Sequence, residues 1–321
     1  MASDEHIGRE AVMEENNGHI SVLLKETLEA LDIRPDGVYA DLTSGKGGGH
    51  SKNIVNRLED GMLVCFDRDP EAAEALRRMF GSDSRVRVIN ENFVNLIDVW
   101  ERESLPPADG IVIDLGISSQ QLAEAERGFS FGGDGPLSMK YNPDDSGPDA
   151  ADIVNDAAED YLLEIFYRFG ESKARRIVRK IAERREKKRI ETTLELAGLV
   201  EEVVPRRGHA HPATRVFLAL RATVNGELEA IEKGVPAAIR VLKPGGILCV
   251  ISFHSTEDRL VKNILRRAAR GCCCDLPPDE CICDLPPEIE LVNRRVITPC
   301  SEEIAVNARS RSSKLRIVKK I

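Results

Sequence analysis

The chain has 321 residues, 42% of them hydrophobic, and a formal net charge of −9 at pH 7. This length predicts two domains or one domain with a large insertion, and no apolar run reaches the roughly 18 residues that cross a membrane. Residues 1–18 are polar and acidic, without the apolar core of a signal peptide or the arginine-rich composition of a transit peptide. We therefore expect a loose leader on a cytoplasmic protein.

Five short apolar runs bounded by turn residues predict the strands of a buried parallel sheet. They cover 37–42, 62–67, 85–89, 110–114 and 246–252. Helical patterns lie around and between them, at about 21–32, 51–58, 70–80, 93–101 and 256–270. The alternation predicts a doubly wound, Rossmann-like α/β fold. Two further runs, 294–298 and 313–319, predict a closing hairpin.

The alternation of strands and helices stops after Asp114. The next residues are rich in Gly, Pro, Ser and Asp, and helical patterns then follow, ending in one long helical stretch at 211–241. We therefore predict an inserted helical domain at 120–210, within a core formed by 19–119 and 211–321.

A glycine-rich stretch, D-L-T-S-G-K-G-G-G-H from Asp41 to His50, joins the first strand to the next helix. Glycines let the backbone approach a nucleoside cofactor closely. The third glycine of the dinucleotide fingerprint is replaced here by His50, and Asp41 places a negative charge where a pyrophosphate would lie. An acid suits the ammonium and sulfonium of S-adenosylmethionine better, so the loop favours that cofactor over NAD.

Acidic residues end three of the predicted strands, at Asp41, Asp67 and Asp114. Ligands of open α/β sheets bind beyond the carboxyl ends of the strands, and carboxylates buried there need donors or cations. We expect Asp67 to accept the ribose hydroxyls of an adenosine. Phe93, just past the third strand, either flanks the adenine or packs in the core.

Two other sets of residues have competing interpretations. His254, at the end of the fifth strand, is a proton acceptor, an RNA contact or a structural histidine. Four cysteines in a proline-rich loop have donor chemistry for zinc, although their spacing lacks the usual pairs two residues apart; they are Cys272, Cys274, Cys281 and Cys283. We expect a reduced loop without a metal and keep structural zinc as the alternative.

Basic residues cluster in two runs, at 173–189 and from Arg309 to Lys320. Residues 173–189 contain ten lysines and arginines against two glutamates. Such clustering predicts contacts with nucleic-acid phosphates, and a solvated helix face is the alternative. The residues assigned to RNA binding are Arg175, Arg176, Arg179, Lys180, Arg184 and Arg185.

Several long motifs follow one another in a specific order. They are H-I-S-V-L-L-K-E from His19, the glycine-rich loop, D-L-G-I-S-S-Q-Q-L from Asp114, E-R-G-F-S-F-G-G-D-G-P-L from Glu126, Y-R-F-G-E from Tyr167, H-P-A-T-R-V-F-L-A-L-R-A-T-V-N from His211, I-S-F-H-S-T-E-D-R from Ile251 and N-A-R-S-R-S-S-K-L-R from Asn307. In these motifs the chain closely resembles the bacterial 16S ribosomal RNA (cytosine-N4)-methyltransferases, from about His19 to Arg316.

The resemblance implies a class I methyltransferase core with an inserted helical domain. It also implies S-adenosylmethionine-dependent N4-methylation of one cytidine at the decoding centre, with 16S rRNA in the small ribosomal subunit as substrate and partner. The cofactor positions that it implies are Gly48, Gly49, His50, Asp67, Phe93, Asp114 and Gln121. Whether the enzyme is a monomer or a homodimer is left open.

The amine of cytosine is a poor nucleophile because its lone pair is delocalised into the ring. An enzyme must align that nitrogen and accept its N–H bonds. We predict that the Asp114 carboxylate or the Leu115 carbonyl accepts one of them, with His254 as a weaker candidate. Two alternatives stay open, a non-catalytic ribosome-assembly or RNA-binding factor and a DNA cytosine-N4 methyltransferase.

Overall fold

The computed structural model describes residues 21–206, 211–271, 274, 276, 279–283 and 285–321. The predicted leader, 1–18, and Cys272 lie outside the described residues. Within them, no helix is long and apolar enough to cross a membrane.

Seven strands of the described chain form one sheet. They are β1 (Val38–Asp41), β2 (Met62–Asp67), β3 (Val86–Asn90), β4 (Ala108–Asp114), β5 (Leu242–Ser252), β6 (Ile289–Leu291) and β7 (Lys314–Lys320). Their order is β3-β2-β1-β4-β5-β7-β6. Strands β1 to β5 pair in parallel, and β7 pairs antiparallel with both β5 and β6. The predicted doubly wound, mostly parallel Rossmann-like sheet is confirmed.

Some of the helices pack on the two faces of this sheet, and the others form a separate helical layer. They are α1 (Leu24–Leu31), α2 (Gly49–Val55), α3 (Pro70–Phe80), α4 (Leu96–Arg102), α5 (Ser119–Ala123), α6 (Ala150–Asp156), α7 (Glu159–Arg168), α8 (Ala174–Arg185), α9 (Thr193–Val203), α10 (Thr214–Val224), α11 (Glu227–Val241), α12 (Ser255–Ala268) and α13 (Ser301–Val306). Short 3-10 turns cover Phe93–Asn95, Ala125–Arg127 and Ala308–Ser312.

The two faces of the sheet are covered by different hydrophobic clusters. Alternate residues of a strand point to opposite faces, so Ile111 and Ile113 join one cluster while Val112 joins the other. The first cluster includes α4, α11 and α12, and the second includes α1 and α2. Because both faces are covered, the carboxyl ends of the parallel strands are left as the open edge.

The inserted helices have a hydrophobic cluster of their own, which runs from Phe129 to Ala222. Helices α6 to α9 contribute buried side chains to it, and so does α10 through Val216, Phe217 and Leu220. The sequence assigned α10 to the Rossmann-like core. The boundary predicted at 210 therefore falls inside one packed unit, and we propose that the helical domain extends through α10.

Two predicted elements differ in the structure. The strand predicted at 294–298 is wrong: only Ile297 forms an isolated bridge, with Leu315, and β6 lies earlier in the chain. The Asn293 side chain accepts the N–H of Ile317 and donates to the carbonyl of Leu315, which makes this segment a turn held by an amide. The long helical stretch predicted at 211–241 consists of two helices, because Gly226 adopts a φ of 59° and separates α10 from α11.

Candidate active site

A cavity of about 500 Å³ lies at the carboxyl edge of the parallel strands. One part, which we call the loop end, is lined by the glycine-rich loop, Asp67 and Phe93. The opposite part, the helical end, is lined by Tyr141, Arg221, Glu227, His254 and Glu257. Asp114 lines the same cavity at the tip of β4.

The glycine-rich loop needs glycine at particular positions. Gly45 and Gly48 have φ values of 64° and 54°, in the left-handed region that other residues adopt at a cost. The N–H of Gly45 donates to Asp67 Oδ2 at 2.8 Å. At Gly49, the first residue of α2, a Cβ atom would overlap the Ser21 hydroxyl. Gly48, Gly49 and His50 all line the cavity, as the resemblance implies for cofactor contacts.

Asp41 has a different place from the one expected. It is 1% exposed and does not line the cavity. Its Oδ2 accepts from the Ser51 hydroxyl at 2.7 Å and its Oδ1 from the N–H of Thr43 at 3.1 Å. Burial raises the pKa of this carboxyl to about 6, against the opposing effect of these hydrogen bonds. Asp41 therefore fixes the loop and α2 onto β1, and the predicted direct cofactor contact is corrected to a supporting role.

Asp67 lies at the tip of β2 and lines the cavity. Its two oxygens accept the backbone N–H groups of Gly45 and Asp69, at 2.8 and 2.9 Å. Burial raises the pKa of the carboxyl to about 7, although both hydrogen bonds oppose this. A carboxylate oxygen can accept more than one hydrogen bond, so Asp67 keeps acceptor capacity for ligand hydroxyls.

Phe93 also lines the loop end of the cavity. Its ring lies against Gly234 of α11, so closely that a Cβ atom on that glycine would overlap the ring. The close approach of α11 therefore sets where the Phe93 ring stands. This position agrees with the expectation that Phe93 flanks an adenine, which remains a prediction.

The Asp114 carboxylate can accept a further hydrogen bond. Its backbone N–H donates to Thr43 Oγ1 at 2.6 Å, and its Oδ2 lies 3.9 Å from His50 Nδ1. Its Oδ1 is buried and has no hydrogen-bond partner among the described residues. Burial, together with the charges of Asp41 and Glu257, raises the pKa of Asp114 well above its usual range. A buried acceptor without a partner is costly, and a ligand that donates a hydrogen bond or carries a positive charge would remove that cost.

Gln121 lines the cavity, but its amide already has protein partners. Nε2 donates to Asp69 Oδ2 at 2.7 Å, and Oε1 accepts the N–H of Ser118 at 3.1 Å. The Ser118 hydroxyl in turn accepts the N–H of Gln121, which completes a capping box at the start of α5. Gln121 therefore joins α5 to the turn after β2, and its implied cofactor contact remains a prediction.

The histidine at the helical end has both ring nitrogens beside Glu257, and its Nε2 makes no aligned hydrogen bond within the described residues. His254 is the N-cap of α12; its Nδ1 accepts the N–H of Glu257 at 3.4 Å, and its Nε2 lies 2.8 Å from Glu257 Oε1. Burial favours the neutral form of Glu257, but the close approach and charge of His254 and the charge of Arg221 outweigh it and lower the pKa of that carboxyl. The geometry supports a positioning role for His254 more than that of a general base.

Sequence reasoning missed the buried ion pair at the helical end. Arg221 Nε and Nη2 donate to the two carboxylate oxygens of Glu227, at 2.7 and 3.0 Å. The Tyr141 hydroxyl lies 3.0 Å from both Glu227 Oε1 and the carbonyl oxygen of Gly116. Arg221 lies inside the motif that begins at His211, on a mostly apolar helix, and that position was the signal available in the sequence.

The basic residues assigned to RNA binding fall into two groups. Arg175, Arg176 and Arg179 are exposed on α8. The other three are less exposed and have partners within the helical layer: Lys180 with Glu202 at 2.6 Å, Arg184 with Glu195 at 3.4 Å, and Arg185 with the carbonyls of Val154 and Ala157. The first group is therefore the more accessible to a large polyanion, although Arg179 Nε lies 3.7 Å from Glu183 Oε1 in an exposed ion pair.

Of the cysteines considered for zinc, three are described and they lie together. The Sγ atoms of Cys274, Cys281 and Cys283 are within 4.8 Å of one another. They are remote in sequence from the strand tips and do not line the cavity.

A crevice at the carboxyl edge of a parallel sheet, closed on one side by a glycine-rich turn, is where Rossmann-like enzymes hold a nucleoside cofactor. The order of the strands and the position of this cavity place the protein in that class.

The chain belongs to the MraW methylase family, whose sequence model matches residues 16–321. It is 43% identical to the ribosomal RNA small subunit methyltransferase H of Clostridioides difficile, over 94% of this chain and 99% of that protein. The protein of the same name from Carboxydothermus hydrogenoformans is 44% identical, over 94% and 98%. TrmN from Thermus thermophilus overlays with a TM-score of 0.42 at 11% identity, over 93% of this chain and 48% of that one.

These relatives confirm the family that the motifs predicted. They also confirm the class of enzyme, a methyltransferase, and its donor, S-adenosylmethionine.

Proposed function

We propose that this protein methylates the N4 amine of a cytidine in small-subunit ribosomal RNA. Asp114 lines the cavity, and the observation that carries the proposal is its buried Oδ1, which has no hydrogen-bond partner within the described part of the chain. The relatives' names, ribosomal RNA small subunit methyltransferase H, support the substrate class. We assign the methyl group to the N4 amine because an amine needs a hydrogen-bond acceptor such as Asp114 Oδ1 beside it.

Most of the residues around the cavity that we assign to function bind the methyl donor. S-adenosylmethionine supplies an electrophilic methyl group when bound. Asp67 would accept the ribose hydroxyls, Phe93 would flank the adenine, and Gly48 and Gly49 would admit the ligand close to the backbone. These contacts position the reacting atoms, which is the main contribution of binding groups to rate.

Asp114 is the group that we assign to the chemical step. Its Oδ1 would accept an N–H bond of the cytosine amine and so orient the nitrogen lone pair toward the methyl carbon. As the nitrogen–carbon bond forms and the carbon–sulfur bond breaks, the amine must lose one proton. A carboxyl whose pKa is raised by burial is a better proton acceptor than an ordinary one. The proton would pass to Asp114 and then to water.

The experiment that tests this function uses small ribosomal subunits from cells that lack the protein. They are incubated with the pure protein and methyl-labelled donor, and the ribosomal RNA is digested and analysed by mass spectrometry. We expect N4-methylcytidine at one position. Binding of the donor without any label in RNA would support the non-catalytic factor instead, and labelling of DNA cytosine alone would support a DNA methyltransferase.

We also propose that the exposed arginines of α8 hold the phosphates of the RNA. Replacing Arg175, Arg176 and Arg179 with Gln should weaken subunit binding and reduce the slope of log K against log salt by about two, given roughly 0.7 per phosphate contact on single strands. The matched control replaces three exposed cations of α1 and α3, Lys25, Arg77 and Arg78. An equal loss of slope in both variants would contradict a specific role for α8.

A further inference from the structure

The loop between α12 and β6 gathers three thiols that the proposed methyl transfer does not use. Cys274, Cys281 and Cys283 are half-buried, and none of them forms a disulfide. Cys274 Sγ lies 3.7 Å from Cys281 Sγ, and all three sulfurs lie within 4.8 Å of one another. Three residues of one loop therefore present soft donor atoms to a common point.

The sulfur–sulfur distance distinguishes a disulfide from a pair of thiolates bound to one zinc ion. In a disulfide the sulfurs are about 2.0 Å apart. In a tetrahedral zinc site each Zn–S bond is about 2.3 Å, so two sulfurs on the same ion are about 3.8 Å apart. The observed 3.7 Å corresponds to an edge of that tetrahedron. Thiolate donor sets of this kind select zinc, copper(I) or iron–sulfur clusters over hard cations.

The ends of the loop are fixed, whereas two apolar side chains described in its interior are exposed. Gly271, with a φ of 64°, lies so close to Leu285 that a Cβ atom would overlap its carbonyl oxygen. The N–H of Glu288 donates to the carbonyl of Ala268 at 2.9 Å, which joins the start of β6 to the end of α12. Between these anchors, Ile282 is 88% exposed and Leu276 is 49% exposed. These two side chains therefore do not order the loop by burial.

We propose that Cys274, Cys281 and Cys283 bind a zinc ion that fastens this loop. The zinc is structural, since the thiols do not line the cavity. The ion would hold the connection that runs from α12, whose first turn lines the cavity, to the edge of the sheet.

The first experiment measures the metal in the full-length, tag-free protein purified under reducing conditions. We expect about one zinc per chain by elemental mass spectrometry. The cobalt(II) form should show thiolate-to-cobalt charge-transfer bands and the intense visible bands of tetrahedral coordination. Less than a tenth of an equivalent of any thiophilic metal, together with no such bands after cobalt addition, would overturn the proposal.

The second experiment compares variants. The double variant Cys281→Ser/Cys283→Ser should retain less than about a tenth of the zinc of the parent, because two of the thiolates are lost. The matched control, Cys300→Ser, removes an exposed thiol outside the cluster and should keep the metal. Calorimetric titration with S-adenosylhomocysteine shows that each variant is folded, independently of any RNA methylation. Zinc retained by the double variant would refute the assignment, and a Cys274–Cys281 disulfide in anaerobically handled protein would do so as well.

Discussion

The two ends of the cavity differ in how their charges are balanced. At the loop end, burial raises the pKa of Asp67 to about 7, and burial also raises the pKa of Asp114, at the tip of β4. At the helical end, Arg221 pairs with Glu227, and His254 helps to hold the pKa of Glu257 below its usual range. The loop end is therefore completed by a ligand that brings donors and positive charge, whereas the helical end is assembled before any ligand arrives.

The largest effect is expected from the carboxylate that we assign to chemistry. Asp114→Asn should lower kcat by about 100-fold or more at saturating donor, because the amide cannot take up the proton of the amine. Donor affinity, measured by calorimetry, should change much less than kcat. Near-normal turnover of this variant would show that the unpartnered oxygen has no part in the reaction.

The next effect concerns the stability of the helical end. Glu227→Gln removes the carboxylate that two N–H groups of Arg221 bind and leaves the charge of Glu257 as the remaining acidic neighbour. Because the pair is largely buried, we expect a loss of about 3 kcal/mol of unfolding free energy, the lower end for breaking a buried pair. Urea denaturation measures the loss. The matched control is Glu229→Gln on the same helix, where the carboxylate is exposed and pairs with Lys233, and its unfolding free energy should not change. Equal stability of the two variants would mean that the helical end is not held together by its ion pair.

Asp67→Asn should weaken binding of S-adenosylhomocysteine by about 10- to 100-fold, the range for a hydrogen bond to a charged group. The pH dependence gives a sharper test. With a pKa of about 7, the free carboxyl is protonated in acid, so affinity should rise with pH up to about 7 and then level off. The variant should lack this rise. A pH-independent affinity in the parent protein would show that ligand binding is not coupled to this carboxyl.

The same group affects folding with the opposite sign. Its pKa is raised above the ordinary 3.8, so the ionised form is disfavoured in the folded state. Its contribution to the stability of the ligand-free protein is therefore full in acid below that value and is lost as pH rises to about 7. Bound donor should reduce this loss, which denaturation with and without ligand measures.

The smallest effect is expected from the contact that places Phe93. Gly234→Ala puts a Cβ atom into the ring and should cost about 1–3 kcal/mol in stability by overpacking, together with a few-fold loss of donor affinity. Gly198→Ala in α9 is the control, because a Cβ atom there meets no other atom within 4 Å. It should instead raise stability by up to about 1 kcal/mol through helix propensity. Unchanged donor affinity in Gly234→Ala would indicate that the ring does not contact the ligand.

The sheet and the general position of the site were predictable because short-range patterns encode them. Apolar runs gave the five parallel strands, and the glycines and acids after them marked the edge where the cavity lies. The role of Asp41 was not predictable in this way. Its oxygens accept hydrogen bonds from Thr43 and Ser51. The spacing of the sequence does not indicate which of the three strand-end acids has its hydrogen-bond partners within the protein.

The ion pair at the helical end was hidden for a related reason. Arg221 and Glu227 are six residues apart, which is not a spacing that brings two side chains together on one continuous helix. They meet only because the chain breaks at Gly226. The thiol cluster was similarly ambiguous, since its one-residue spacings do not match the usual zinc pattern, and only the fold of the loop shows that the sulfurs converge.

Asn225, at the break between α10 and α11, limits how this enzyme can be recombined with its relatives. Its side chain donates to the carbonyls of Met139 and Arg221 and accepts the N–H of Tyr141. In a chimera joined at residue 210, Met139 and Tyr141 would come from one parent and Asn225 from the other. Exchanging residues 129–227 as one block would keep them together, and chimeras with that junction should be the soluble ones.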